Sequence, residues 1–127
     1  MPEAQNAPGC PLLLVADDEP FVLEVLAQIA AEAGWRVRTT RDGHHLLRLA
    51  SAHPDAAAIL LDVRMPGPGS STLIRALRHS HPSARLLLMS GDPGLLTGHH
   101  ADDVLAKPFA PEDLLAALHH RHLSSAA

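Results

Sequence analysis

The sequence predicts an α/β fold, in which a five-stranded parallel sheet is doubly wound, with helices on both faces. Short apolar runs recur without polar alternation, as strands buried on both faces require. Between them, apolar residues fall at helical spacing, and the two patterns alternate along the chain, which calls for right-handed crossovers onto a parallel sheet. The 127 residues suffice for one domain with a substantial core, and that core is aliphatic, since hydrophobic residues make up 46% of the chain and aromatic ones 2%.

Residues 1–11 contain Pro2, Pro8, Gly9 and Pro11 and read as a flexible leader. Leu12 to Val15 is the first strand. From Pro20, which suits a first helical turn, Val22, Val25, Leu26, Ile29 and Ala33 give a helix that Gly34 stops. Trp35 to Thr40 is strand-like. Asp42 then caps a helix carrying Leu46, Leu47, Leu49 and Ala50, which His53-Pro54 ends.

Ala56 to Leu61 is the third strand. The Pro/Gly turn Met65 to Gly69 leads into a helix with Leu73, Ile74 and Leu77 on one face. Arg85 to Met89 is the fourth strand. Gly91 to His100, with three glycines and Pro93, predicts a short or distorted helix. Asp103 to Ala106 is the fifth strand, and Pro111 to about Leu123 the last helix, with Leu114, Leu115 and Leu118 facing inward. The folded domain is thus expected over 12–123, with a short tail at 124–127.

The formal charge is -4, from 10 Lys+Arg against 14 Asp+Glu, with no basic stripe, so direct nucleic-acid binding through phosphates is disfavoured. Three aromatics in all, Phe21, Trp35 and Phe109, argue against base stacking. No apolar run approaches the roughly 18 residues of a membrane span, and the N-terminus does not resemble a secretory signal. Cys10 is the single cysteine, which rules out an internal disulfide and makes the cytoplasm the expected compartment.

Chemistry-bearing residues gather at the predicted strand ends. Asp17-Asp18 follows the first run, Asp62 the third, Ser90 the fourth and Lys107-Pro108 the fifth. Taken alone, Asp17-Asp18-Glu19-Pro20 is an ordinary helix start, and Asp62 and Lys107 are ordinary loop residues. As neighbours in a parallel sheet, their strands place all of them in the crevice where open α/β sheets bind ligands. Three carboxylates so placed resist ionisation unless a cation joins them, and oxygen ligands favour a hard divalent ion such as Mg²⁺. Phosphoryl transfer needs positioning and charge neutralisation there. Asp62 would be the carboxylate nucleophile, Lys107 a point charge on the phosphate, and Ser90 a hydrogen-bond donor to a phosphoryl oxygen.

On Leu12 to Asp18 with Glu19-Pro20, Asp62-Val63-Arg64-Met65-Pro66-Gly67, Met89-Ser90-Gly91 and Lys107-Pro108-Phe109, the chain resembles the receiver domain of two-component response regulators over about Leu12 to Leu123. The resemblance implies the flavodoxin-like receiver fold with strand order 2-1-3-4-5. It makes Asp62 the phosphoacceptor, with Asp18, Asp62 and the Arg64 carbonyl as Mg²⁺ ligands and Asp17 acting through water. It also implies a cis Lys107-Pro108 bond that fixes where the ammonium points.

Two departures stand out. Receivers usually carry Tyr, Phe or His three residues before the lysine, where this chain has Val104, so the usual signalling change is in question. Gly67-Pro68-Gly69-Ser70-Ser71 replaces a frequent Asp-Gly pair and reads as a changed turn without chemical consequence. Arg64 and Asp92, each two residues past a site residue, are expected to pair across the mouth of the pocket and alter the lifetime of the aspartyl phosphate, or else to be two solvated charges.

Ten histidines invite a zinc hypothesis, above all His119, His120 and His122, yet histidines near a helix end also complement its dipole, and His44-His45 and His99-His100 read as solvated pairs. A nucleotide-binding site is disfavoured because the loop after the first strand has no glycines and is acidic. A haloacid-dehalogenase-like hydrolase would need a second Asp two residues after its nucleophile, and position 64 is Arg.

The expected function is a stand-alone, chemotaxis-type receiver that takes a phosphoryl group from a phosphohistidine on a histidine kinase or histidine phosphotransfer protein. It catalyses only its own phosphorylation and dephosphorylation and is not otherwise an enzyme. With no output module after Leu123, the signal would pass to a downstream protein target, through the face made by the helix predicted after Gly91, the fifth strand and the last helix. A homodimer is left open. The alternatives are a constitutive interaction module with a vestigial site and a receiver derived from a hybrid sensor kinase.

Overall fold

The computed structural model describes residues 9–92 and 101–126, with side chains as far as His119. The helix expected between Gly91 and His100 lies almost wholly outside these residues, as do most of the leader and the side chains of His120 and His122. Strands β1 (Leu12–Ala16), β2 (Arg36–Thr40), β3 (Ala58–Asp62), β4 (Arg85–Ser90) and β5 (Asp103–Ala106) form one sheet in the order β2-β1-β3-β4-β5. Every pairing is parallel. Helices α1 (Pro20–Glu32), α2 (Gly43–Ala52), α3 (Ser70–Ser80) and α4 (Pro111–Ala126) make the crossovers. Thus residues 124–126 continue the last helix.

The period of two along each strand splits the core into layers. Leu13 and Val15 of β1, Leu60 of β3 and Leu87 and Met89 of β4 pack with α1 and α4. Leu12 and Leu14, Ile59 and Leu61, and Leu86 and Leu88 pack with α2 and α3 on the other face. β1, β3 and β4 are buried along their whole length, and each leucine so buried is worth about 1.5–3 kcal/mol. This explains why unbroken apolar runs mark these strands.

The helix faces match expectation in α3, where Leu73, Ile74 and Leu77 are buried, but shift in α1. There the inward line is Leu23, Leu26 and Ala30, while Val25 is 40% exposed. Successive helical residues turn about 100°, so Val25 cannot share the face that Leu23 and Leu26 bury. In α4, Ala117 joins Leu114 and Leu118 in the core and Leu115 is only partly buried. The second and third strands begin later than the apolar runs suggest, at Arg36 and Ala58. Gly34 adopts φ +97° just past α1, and Asp42 caps α2 by accepting the His45 N–H at 2.9 Å. His45 is not merely solvated, because its Nδ1 lies 2.8 Å from Asp42 Oδ2.

Candidate functional site

The strand order reverses direction between β1 and β3, which leaves a crevice at their carboxyl ends. Asp17 follows β1 directly, Asp62 closes β3, Ser90 closes β4 and Lys107 follows β5. Residues some ninety positions apart in sequence therefore meet. Lys107 Nζ donates to Asp17 Oδ2 at 2.7 Å and to Asp62 Oδ2 at 2.9 Å. The Lys107-Pro108 peptide is cis.

The two acids hold different stations. Asp17 is fully buried, and its Oδ1 accepts the Glu19 N–H at 2.9 Å. Both its oxygens are thus engaged by protein. Asp62 is 7% exposed, and its Oδ1 accepts the Arg64 N–H at 3.0 Å. Asp18 is exposed. Oxygens of Asp17, Asp18 and Asp62 all lie within 4.8 Å of one another, a grouping that can hold a metal ion. Three carboxylates against one ammonium leave an excess of negative charge, which a hard divalent cation neutralises with the oxygen donors it prefers. The donor set fits Mg²⁺.

Lys107 shows the balance of forces. Burial alone would lower the pKa of its ammonium, but hydrogen bonds to Asp17 and Asp62, reinforced by their charges, outweigh it and hold the group above its ordinary 10.5. Ser90 is buried, and its Oγ accepts the Asp92 N–H at 3.0 Å, which leaves its own O–H to donate into the crevice. A cleft of about 640 Å³ opens above these groups, lined by Asp18, Glu19, Asp62, Ser90 and Lys107 among others.

The expected pair across the mouth is present. Arg64 Nη2 lies 3.8 Å from Asp92 Oδ2, with the two side chains 74% and 54% exposed. Val104, where an aromatic would be expected, is 43% exposed on the edge strand β5. His119 is exposed, and among the described residues the acidic trio is the only grouping of potential ligands large enough to hold a metal.

Sequence reasoning did not single out Arg41, whose Nη2 donates to the Asp18 carbonyl at 3.3 Å. No local pattern marks it: Arg41 follows β2, and only the pairing of β2 with β1 brings it to the Asp18 loop. Gly67 sits in a turn, as expected, with φ +113°, and so close to Gly43 that a Cβ there would lie 3.0 Å from the Gly43 nitrogen.

The response regulator receiver domain family matches residues 13–119. The chain is 30% identical over 123 residues to the probable transcriptional regulatory protein TcrX of Mycobacterium tuberculosis, an alignment covering 90% of this chain and 51% of that protein. It spans about half the length of the curated relatives it matches. Among solved structures it is similar to a response regulator protein from Burkholderia pseudomallei with a phosphorylated aspartic acid, calcium ion and citrate. The TM-score there is 0.77 at 29% identity, covering 91% of this chain and 71% of that one. The fold is also that of the response regulator protein TrrA from Thermotoga maritima in complex with Mg²⁺-BeF, with a TM-score of 0.80 at 23% identity and coverage of 87% and 98%.

Proposed function

Because the chain belongs to the response regulator receiver domain family, we propose that it takes a phosphoryl group from a phosphohistidine onto Asp62 and signals by protein–protein contact. A receiver domain is not a conventional enzyme, and receivers interact with histidine kinases. The donor here is a kinase or a histidine phosphotransfer protein, and the receptive unit spans 12–123. One observation carries the reading. Asp62, at the floor of an open cleft, shares Lys107 with Asp17 and lies within ligand distance of Asp18.

Each residue then has a task. A carboxylate oxygen of Asp62 attacks phosphorus; the P–O bond forms as the P–N bond to the donor imidazole breaks, and the electron pair leaves on that nitrogen. Lys107 turns from its carboxylate partners toward the phosphoryl oxygens, and the Ser90 O–H donates to one of them. Asp18, Asp62 and the Arg64 carbonyl would hold Mg²⁺, with Asp17 acting through water, and the ion would supply charge neutralisation at the transferring group when bound. In hydrolysis a water oxygen attacks phosphorus and forms the new P–O bond as the P–O bond to Asp62 breaks, giving the Asp62 carboxylate, inorganic phosphate and a proton released to solvent.

The output surface includes β5 and α4, with a downstream protein as the target. Val104 favours a second reading, a constitutive interaction module, since an exposed branched aliphatic cannot swing a ring inward when Ser90 moves. Incubation with acetyl phosphate and Mg²⁺ separates the two. A receiver gains one hydroxylamine-sensitive phosphoryl group only with the cation present, whereas a module with a vestigial site gains none. The cytoplasm is the proposed compartment, and no helix among the described residues is long and apolar enough to cross a membrane.

A further inference from the structure

We propose that the corner joining β2 to α2, Thr40 to Gly43, sets the spacing between the Asp17-Asp18 loop and the loop after Asp62, making Gly43, Gly67 and Arg41 positioning residues for the cation. The inference rests on the receiver reading above.

This corner touches both acidic loops. On one side Thr40 O accepts the Asp17 N–H at 3.1 Å, and Arg41 Nη2 donates to the Asp18 carbonyl at 3.3 Å. On the other, the Gly43 N–H donates to Pro66 O at 2.8 Å. Asp42, within the corner, caps α2 by accepting the His45 N–H at 2.9 Å. The segment between Asp62 and Gly67 is therefore tied to β1 through β2 and α2 as well as through the sheet.

The glycines allow this approach. A Cβ on Gly67 would lie 3.0 Å from Gly43 N and 3.2 Å from Gly43 Cα, both backbone atoms that no side-chain rotation can move aside. The loop bearing Arg64 would have to withdraw from α2. Gly67 also has φ +113°, a conformation that L side chains rarely adopt. Displacement there changes the placing of Arg64, whose N–H fixes Asp62 Oδ1 and whose carbonyl belongs to the proposed ligand set.

Charge and position predict opposite outcomes at Arg41. Removing a cation near a divalent-ion site strengthens ion binding if only its charge matters, whereas loss of its bond to the Asp18 carbonyl weakens binding if its placing matters.

The test is Mg²⁺ affinity by isothermal titration calorimetry on the wild type, Gly67→Ala and Arg41→Met, with circular dichroism to establish folding. Failure of the wild type to bind Mg²⁺ overturns the receiver reading and this inference with it. Given wild-type binding, the expected losses are about tenfold for Gly67→Ala and about threefold for Arg41→Met. A folded Gly67→Ala with wild-type affinity overturns the inference alone, and so does Arg41→Met with unchanged or tighter binding. If Gly67→Ala fails to fold, Arg41→Met decides.

Discussion

Lys107 is the hinge of the site at the level of single residues, because it holds two carboxylates that would otherwise repel. Its raised pKa has a consequence for stability. A cation whose pKa is higher folded than unfolded contributes stability that is fully present below the unfolded value, ordinarily 10.5, and lost as pH rises through the folded one. Denaturation midpoints followed from neutral pH upward should therefore fall at alkaline pH in the wild type and fall less in Lys107→Met. Equal slopes would show that the ammonium is not coupled to the acids. Arg64 and Asp92 make the second prediction. If their exposed pair screens the mouth from water, Arg64→Ala and Asp92→Ala each hydrolyse the aspartyl phosphate faster, by up to about fivefold for an interaction worth at most ~1 kcal/mol. Unchanged rates in both dismiss the gate.

Elements explain which parts of the molecule were legible in its sequence. β1, β3 and β4 announced themselves because strands buried on both faces leave unbroken runs, and β5 because Lys107-Pro108 punctuates it. The face of α1 was misread because apolar residues surround much of that helix, so periodicity alone could not choose Leu23 over Val25. Two buried polar side chains were not anticipated either. Arg85 Nε donates to Ala117 O at 2.6 Å, and His81 Nε2 lies 3.0 Å from His53 O, so both are satisfied by backbone carbonyls that only the folded chain brings near. The gathering of Asp17, Asp18, Asp62, Ser90 and Lys107 was legible because each ends or closely follows a strand, whereas the contacts of Arg41 and Gly43 arise between loops distant in sequence. β3 offers a direct check on the core. Leu60 is fully buried at its centre, and Leu60→Ala should cost about 2–5 kcal/mol in urea unfolding. A loss under ~1 kcal/mol would mean that β3 is not the sheet's packed centre.

Over the whole molecule, the sheet works as a collecting device. Parallel strands all point their carboxyl ends the same way, so strand ends and the short loops after them bring Asp18, Asp62, Ser90 and Lys107 from distant sequence positions to a single crevice, while an aliphatic layer packs on each face of the sheet. Cation binding and folding are then linked: Mg²⁺ at a hundred times its dissociation constant should stabilise the wild type by about 2.7 kcal/mol, and Asp18→Asn should lose most of that gain. A wild type indifferent to Mg²⁺ in thermal unfolding would argue against the site. The central claim, that folding makes Asp62 the acceptor, is tested most directly by peptide mapping after acetyl phosphate and Mg²⁺ treatment of the wild type and Asp62→Asn. The account predicts a phosphoryl group on Asp62 in the wild type and none in the folded variant; labelling retained in Asp62→Asn, or mapped to another residue, would contradict it.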